Sequence, residues 1–142
     1  RAFGEEQPKY ITIVLDQNNQ KIFGLDRVDD SRNIIIVEGP LDSLFLPNCI
    51  AVAQGDLRLP QYKTKSTLVF DNEPRNREII KNIEKAIDED YNVVIWPSDI
   101  EEKDINDMII SGLTNVEITD IIHRNTFSGL QAKTQLSHWK KI

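Results

Sequence analysis

Residues 33–41 read Asn33-Ile34-Ile35-Ile36-Val37-Glu38-Gly39-Pro40-Leu41, and this stretch decides the fold class. Four consecutive β-branched residues show no polar/apolar alternation, the pattern of a parallel strand covered on both faces. Glu38 and Gly39 break the run, and Pro40 suits the first turn of a helix, where a missing N–H costs nothing. The same grammar recurs downstream. Residues 50–53 (IAVA) end at Gln54-Gly55-Asp56, residues 67–70 (TLVF) at Asp71-Asn72-Glu73-Pro74, and residues 92–96 (NVVIW) at Pro97-Ser98-Asp99. A short helix is expected over 41–46, before Pro47-Asn48. Pro74 marks the start of a longer one, with Ile79, Ile80, Ile83, Ala86 and Ile87 at helical spacing and Arg77, Lys81, Glu84 and Lys85 opposite them. Asp104 or a neighbour caps a helix over 105–111 that Gly112 stops. Helices follow over 119–124 and 129–140, with Ser128 and Gln131 spaced as a capping box. Upstream, residues 10–15 (YITIVL), a polar turn and residues 21–25 (KIFGL) read as a β-hairpin. Strands alternating with helices after a hairpin predict an α/β domain with a largely parallel sheet flanked by helices. Its expected divisions are a hairpin segment over 1–30, a core over 31–116 and a basic helical segment over 117–142.

The chain has 142 residues, about one domain, with 39% apolar and 28% charged residues, a folded rather than a disordered balance. Its apolar runs fall far short of the about 20 residues that cross a bilayer, and no basic stretch leads into an apolar one at the start. No membrane partner is expected. The single cysteine, Cys49, excludes a disulfide framework and a Cys-based zinc site, and reads as a small buried hydrophobe in a reducing, cytoplasmic compartment. The chain begins at Arg1 and its one methionine is Met108, which predicts a piece of a longer protein. Net charge is −6; residues 121–142 hold Arg124, Lys133, Lys140 and Lys141 and no acid, so the first 120 residues carry −10. That balance does not suit a nonspecific DNA coat.

The acids fall where strands end: Glu38, then Asp71 and Glu73, then the run from Asp99 to Asp107. In open α/β sheets the carboxyl ends of parallel strands form one rim over which ligands bind. Three such ends would gather Glu38, Asp71 and Glu73, with Asp42 from the following helix and Asp104 from the next loop. Carboxylates about 4 Å apart repel by about 4 kcal/mol at an effective dielectric near 20, so a proton or a cation must compensate. An all-oxygen donor set selects Mg²⁺ or Mn²⁺ over zinc, and an acidic metal cluster suits phosphoryl or phosphodiester chemistry. Any one of these acids alone reads as a turn former or helix cap; the combination points to a metal site. Arg58, Lys63, Lys65 and Arg75 are the candidate cations for nucleotide or nucleic acid, although a basic loop is more often simply solvated. Phe70 and Trp96 read as core, and His123 and His138 as helix-surface residues without chemistry.

Those residues carry a resemblance. Glu38-Gly39-Pro40-Leu41-Asp42 resembles the EGxxD signature of Toprim domains, shared by primases, topoisomerases and some nucleases. Asp71-Asn72-Glu73 after its strand resembles the DxD signature, and Lys103-Asp104-Ile105-Asn106-Asp107 resembles an element typical of primases. Together they are similar to the Toprim domain of T-even-like bacteriophage DNA primases, from about residue 10 to the end. The resemblance implies a Toprim-type sheet and an enzyme that makes short RNA primers on a single-stranded DNA template. It further implies nucleoside triphosphates as substrates, Mg²⁺ or Mn²⁺ as cofactor and a replicative helicase as partner. It implies Glu38 as metal ligand or general base, Asp42 as its support, Asp71 and Glu73 as metal ligands, and Asp104 as part of the rim. Asn106 and Asp107 match the tail of the third motif. Two features depart from the pattern: the second acid is Glu73 rather than aspartate, and Pro74 stands where a glycine often follows. Such primases also carry a zinc module and a basic subdomain, so the piece alone is expected to bind metal but prime poorly. The competing readings are a Toprim nuclease and a non-catalytic Toprim binding module. A topoisomerase lacks a tyrosine partner domain here, and a phosphoacceptor domain lacks its acid pair and late lysine.

Overall fold

The computed structural model describes residues 21–53 and 56–142. Its sheet is built around the isoleucine run: β2 (Ile34–Val37) is buried at every position and pairs in parallel with β3 (Cys49–Val52) on one side and β4 (Ser66–Val69) on the other. Next to β4 lies β5 (Asn92–Val94), again parallel. Two short antiparallel strands close the edges, β1 (Ile22–Phe23) on β3 and β6 (Thr126–Phe127) on β5, giving the order β1-β3-β2-β4-β5-β6. The expected α/β class with a largely parallel sheet is what the chain forms, and it is consistent with a Toprim-type fold. Of the expected hairpin, residues 10–15 lie outside the described residues, while β1 pairs with β3.

Among the described residues five α-helices cover the sheet: α1 (Pro40–Ser43), α2 (Arg77–Asp88), α3 (Ile105–Ser111), α4 (Asn115–Arg124) and α5 (Gly129–Trp139). α1 leads to the left-hand neighbour of β2 and α2 to the right-hand neighbour of β4. Right-handed crossovers therefore put them on opposite faces. α3 packs on α1 and α4, and α5 packs on α2, which completes the two layers. Ile79, Ile80, Ile83, Ala86 and Ile87 form the buried stripe of α2, as their spacing requires. None of the helices described is long and apolar enough to cross a membrane.

Several local readings change, among them the helix expected over 119–124, which begins four residues earlier at Asn115. α2 begins at Arg77 rather than at Pro74, because the Asn76 side chain caps it, accepting from the backbone N–H of Glu78 and Ile79. α1 stops at Ser43, three residues short of the expected end, as i→i+3 bonds from Leu44 and Phe45 tighten the turn. Ser128 makes no side-chain cap; the capping box belongs to Thr114 and Glu117 at the start of α4. The polar stretch after residue 56 is anchored by Leu57 and Leu59, both fully buried, and turns through a 3₁₀ segment at Pro60–Lys65. Strands β3 and β4 each start one residue earlier than read, and β5 ends at Val94. Beyond it Ile95 and Trp96 stay buried, the Trp96 indole donating to the Phe70 carbonyl at 2.9 Å.

Candidate active site

The chain leaves β2 for one face and, after crossing back, leaves β4 for the other, so the crevice between their carboxyl ends is a topological switch point. Val37 and Val69 are paired in register, which sets Glu38 beside Phe70 and one residue short of Asp71. Neither the Glu38 nor the Asp71 carboxylate receives a hydrogen bond from any described residue. Burial first, and then the negative charges of Glu38, Asp42, Asp104 and Glu73, push the Asp71 carboxyl up to about 7. Burial and the neighbouring Glu73 likewise raise Glu38, with Lys103 opposing. These groups feel one another strongly, yet among the described residues no three acids or other donors already converge as a metal cage. The cluster is an anionic neighbourhood whose half-exposed side chains would have to swing inward to share one ion.

Asp42 is held differently. It is buried on α1 and accepts the backbone N–H of Asn106 at 2.8 Å, tying the second acid of the first motif to the first turn of α3. Burial, opposed by that hydrogen bond and reinforced by Asp104 and Asp107, pushes its carboxyl up to about 6. Gly39 makes room for it: a Cβ there would lie 2.8 Å from Asp42 Oδ2. Gly39→Ala is therefore expected to turn the carboxylate away from Asn106 and cost about 1 kcal/mol net of the entropy that alanine removes from the unfolded chain. In an Asp42→Ala background the same change should be neutral or stabilising, a reversal that a double-mutant cycle in urea reads directly.

Asp104 caps α3, accepting from the Asp107 N–H at 2.8 Å. Glu73 accepts from the Asn76 amide at 3.1 Å and pairs with Lys103 at 3.6 Å. Glu73 and then Asp71 raise the Lys103 ammonium. Lys103, part of the third motif, sits beside the acids and pairs with Glu73; its place directly before Asp104 is the sequence signal for it.

The residue between the two acids binds the rim together. Asn72 is buried, its N–H donates to the Lys103 carbonyl at 2.6 Å, and its amide donates to the carbonyls of Ile100 and Glu102 at 2.9 and 3.1 Å. Its Oδ1 accepts the Trp139 indole N–H at 2.9 Å. One side chain thus fixes the 71–73 loop to the segment leading to Asp104 and to the end of α5. Sequence reasoning gave neither residue a role, and a contact spanning 67 positions leaves no local trace.

The candidate cations divide. Arg75 lies at the acidic end, its guanidinium donating to the Lys141 carbonyl at 3.4 Å. Arg58, Lys63 and Lys65 do not reach it. Arg58 is paired with Asp56 and with Glu89 at the far end of α2, Lys63 lies over the Tyr91 ring and Lys65 just ahead of β4. All three flank the amino ends of the strands, opposite the acids. Arg58→Ala is expected to cost about 0.5–1 kcal/mol, the worth of a surface ion-pair network, and to leave divalent-cation binding unchanged. Three of the four C-terminal cations are likewise paired: Arg124 with Asp120, Lys133 with Asp88 and Lys140 with Glu84. The last two pairs tie the end of the chain to α2, while the first lies within α4.

The chain is 40% identical over 147 residues to the DNA primase of Enterobacteria phage T4. Its sequence is primase-related. The alignment covers 100% of this chain and 43% of the phage protein, so the chain spans less than half the length of the curated relative it matches. No family model matches the chain.

Proposed function

We propose that this chain is the Toprim catalytic domain of a DNA primase, joining ribonucleotides on a single-stranded DNA template with the help of Mg²⁺ or Mn²⁺. The observation that carries the reading is the shared influence on Asp71 of burial and of the charges of Glu38, Asp42, Asp104 and Glu73, which push it up to about 7. The likeness to a phage DNA primase supports it independently. The donor set fits a hard divalent ion, since the groups acting on Asp71 are carboxylates throughout. Bound there, the ion would supply charge neutralisation on the reacting phosphates and a more acidic attacking hydroxyl.

Asp71 and Glu73 are the residues placed to hold it, with Asp104 adding negative potential at the rim. Glu38, raised by burial and by Glu73, takes the proton of the attacking hydroxyl or completes the ligand set. Asp42 is locked to Asn106 and ties the first turn of α1, just after Glu38, to the first turn of α3. Lys103 and Arg75 are placed to meet the triphosphate of the incoming nucleotide. Single-stranded template, nucleoside triphosphates and a replicative helicase are the partners that this role requires.

The test is primer synthesis by the full-length primase carrying Glu38→Ala or Asp71→Ala. Each change is expected to lower the rate at least a hundredfold, in line with loss of a general base or a metal ligand. Retained synthesis in both would remove the assignment. Shortened DNA in place of new RNA would favour the nuclease reading, and absence of any divalent-cation affinity the non-catalytic one.

A further inference from the structure

On the α5 side of the acidic loop lies a cavity of about 480 Å³ at the carboxyl ends of β4 and β5. We infer that it receives a nucleobase, the heterocycle belonging to the nucleotide or strand whose phosphate is held at the acidic rim. The inference rests on the primase reading and adds to it where the base goes.

Position comes first. Asn72 and Pro74 line the cavity, and they alternate along the chain with Asp71 and Glu73. One wall of the cavity therefore belongs to the loop that presents the acids. Size and chemistry agree with a base. The volume falls within the range of small-molecule sites, roughly 300–1,000 Å³. Pro97 and the little-exposed edges of Trp96 and Trp139 supply apolar lining, and Ser98, Gln135 and His138 supply donors and acceptors. None of those three side chains has a hydrogen-bond partner among the described residues. Glu101 and Lys141 contribute one charge of each sign, so the lining favours a neutral, planar, polar-edged ligand over a phosphate group. Aromatic surface with adaptable polar edges is how single bases are held in general.

The chain carries its own reporter, because its only two tryptophans, Trp96 and Trp139, both line the cavity. The experiment titrates the full chain in EDTA with adenosine or guanosine monophosphate, with ribose 5-phosphate, and with a short single-stranded oligodeoxynucleotide. Tryptophan emission is corrected for absorption against free tryptophan. Saturable quenching by a base-bearing ligand, absent with ribose 5-phosphate, is expected. The Gln135→Ala/His138→Ala double variant should weaken it about tenfold at an unchanged thermal midpoint, as loss of one or two polar contacts would. Ser98→Phe, which fills the mouth, should abolish it. Tighter binding of the mononucleotide assigns the cavity to the incoming nucleotide, and tighter binding of the oligonucleotide assigns it to the template. Quenching that ribose 5-phosphate reproduces, or that neither variant alters, overturns the inference, as does no quenching at all. A Mn²⁺ titration of the same preparation, exchanged out of EDTA, keeps the two failures apart: normal Mn²⁺ binding without base-dependent quenching sinks only the base site.

Discussion

At pH 8 and without divalent cations, the Asp71→Asn variant melts at a higher temperature than the unaltered chain. Burial and four neighbouring carboxylates push Asp71 from 3.8 up to about 7, so its ionised form is disfavoured in the folded state. A carboxyl whose folded value is raised binds more protons folded than unfolded between those two values, and stability falls as pH rises through that window. Above pH 7 the full cost is present. Because Asp71 is only half-buried, solvent screens part of the repulsion, and replacing the charge should return about 1–2 kcal/mol. For a domain of this size that is roughly 3–6 °C. The advantage should shrink as the pH is lowered and be largely gone near pH 4, close to the unfolded value of 3.8; only below that value is the carboxyl neutral in both states. Thermal melts from pH 4 to pH 8 check this, and an Asp71→Asn variant less stable at pH 8 would show that the acids are not crowded. Asp42 and Glu38, both raised, add to the same slope in the parent chain.

Asn72→Leu has the opposite and larger effect. The substitution keeps the volume but leaves the carbonyls of Ile100 and Glu102 and the Trp139 indole without their partner. Buried groups left unpaired cost about 1–3 kcal/mol each, partly offset by relaxation, so a loss of roughly 3–5 kcal/mol is expected. Trp139→Phe removes the indole N–H contact together with part of a buried ring and should cost about 2–3 kcal/mol. Urea unfolding measures both. The Phe variant should also weaken Mn²⁺ binding although residue 139 touches none of the acids, because the loop carrying Asp71 and Glu73 loses an anchor. Equal stability of Asn72→Leu and the parent would deny the amide its part in holding the rim.

What could be read beforehand follows from how local each signal is. Ile34–Val37 announces a doubly covered strand within four residues, and strands β3 and β4 came within one residue of their bounds for the same reason. The acids at strand ends were legible too, because parallel β2 and β4 must place Glu38 and Asp71 at one rim. Start signals competed less clearly. Pro74 looked like a helix start until Asn76 supplied the side-chain cap, and Ser128 matched a capping spacing that only Thr114 and Glu117 realise. Leu57 and Leu59 were hidden in a stretch whose other residues are polar, although both are fully buried. Arg58, Lys63 and Lys65 are near the acids in no sense that sequence distance measures; strand direction sends them to the other end of the sheet. The Asn72–Trp139 contact required the packing of α5 on α2, and composition carries no hint of it.

The central claim is that strand-end carboxylates form one site for a divalent cation. Electron paramagnetic resonance of Mn²⁺ titrated into the chain, with Asp71→Asn and Glu38→Gln beside it, tests that most directly. The account predicts saturable binding by the parent, weakened at least tenfold by either substitution, as expected when one ligand of a shared ion is removed. Weak, non-saturating binding that is the same in all three proteins would contradict it.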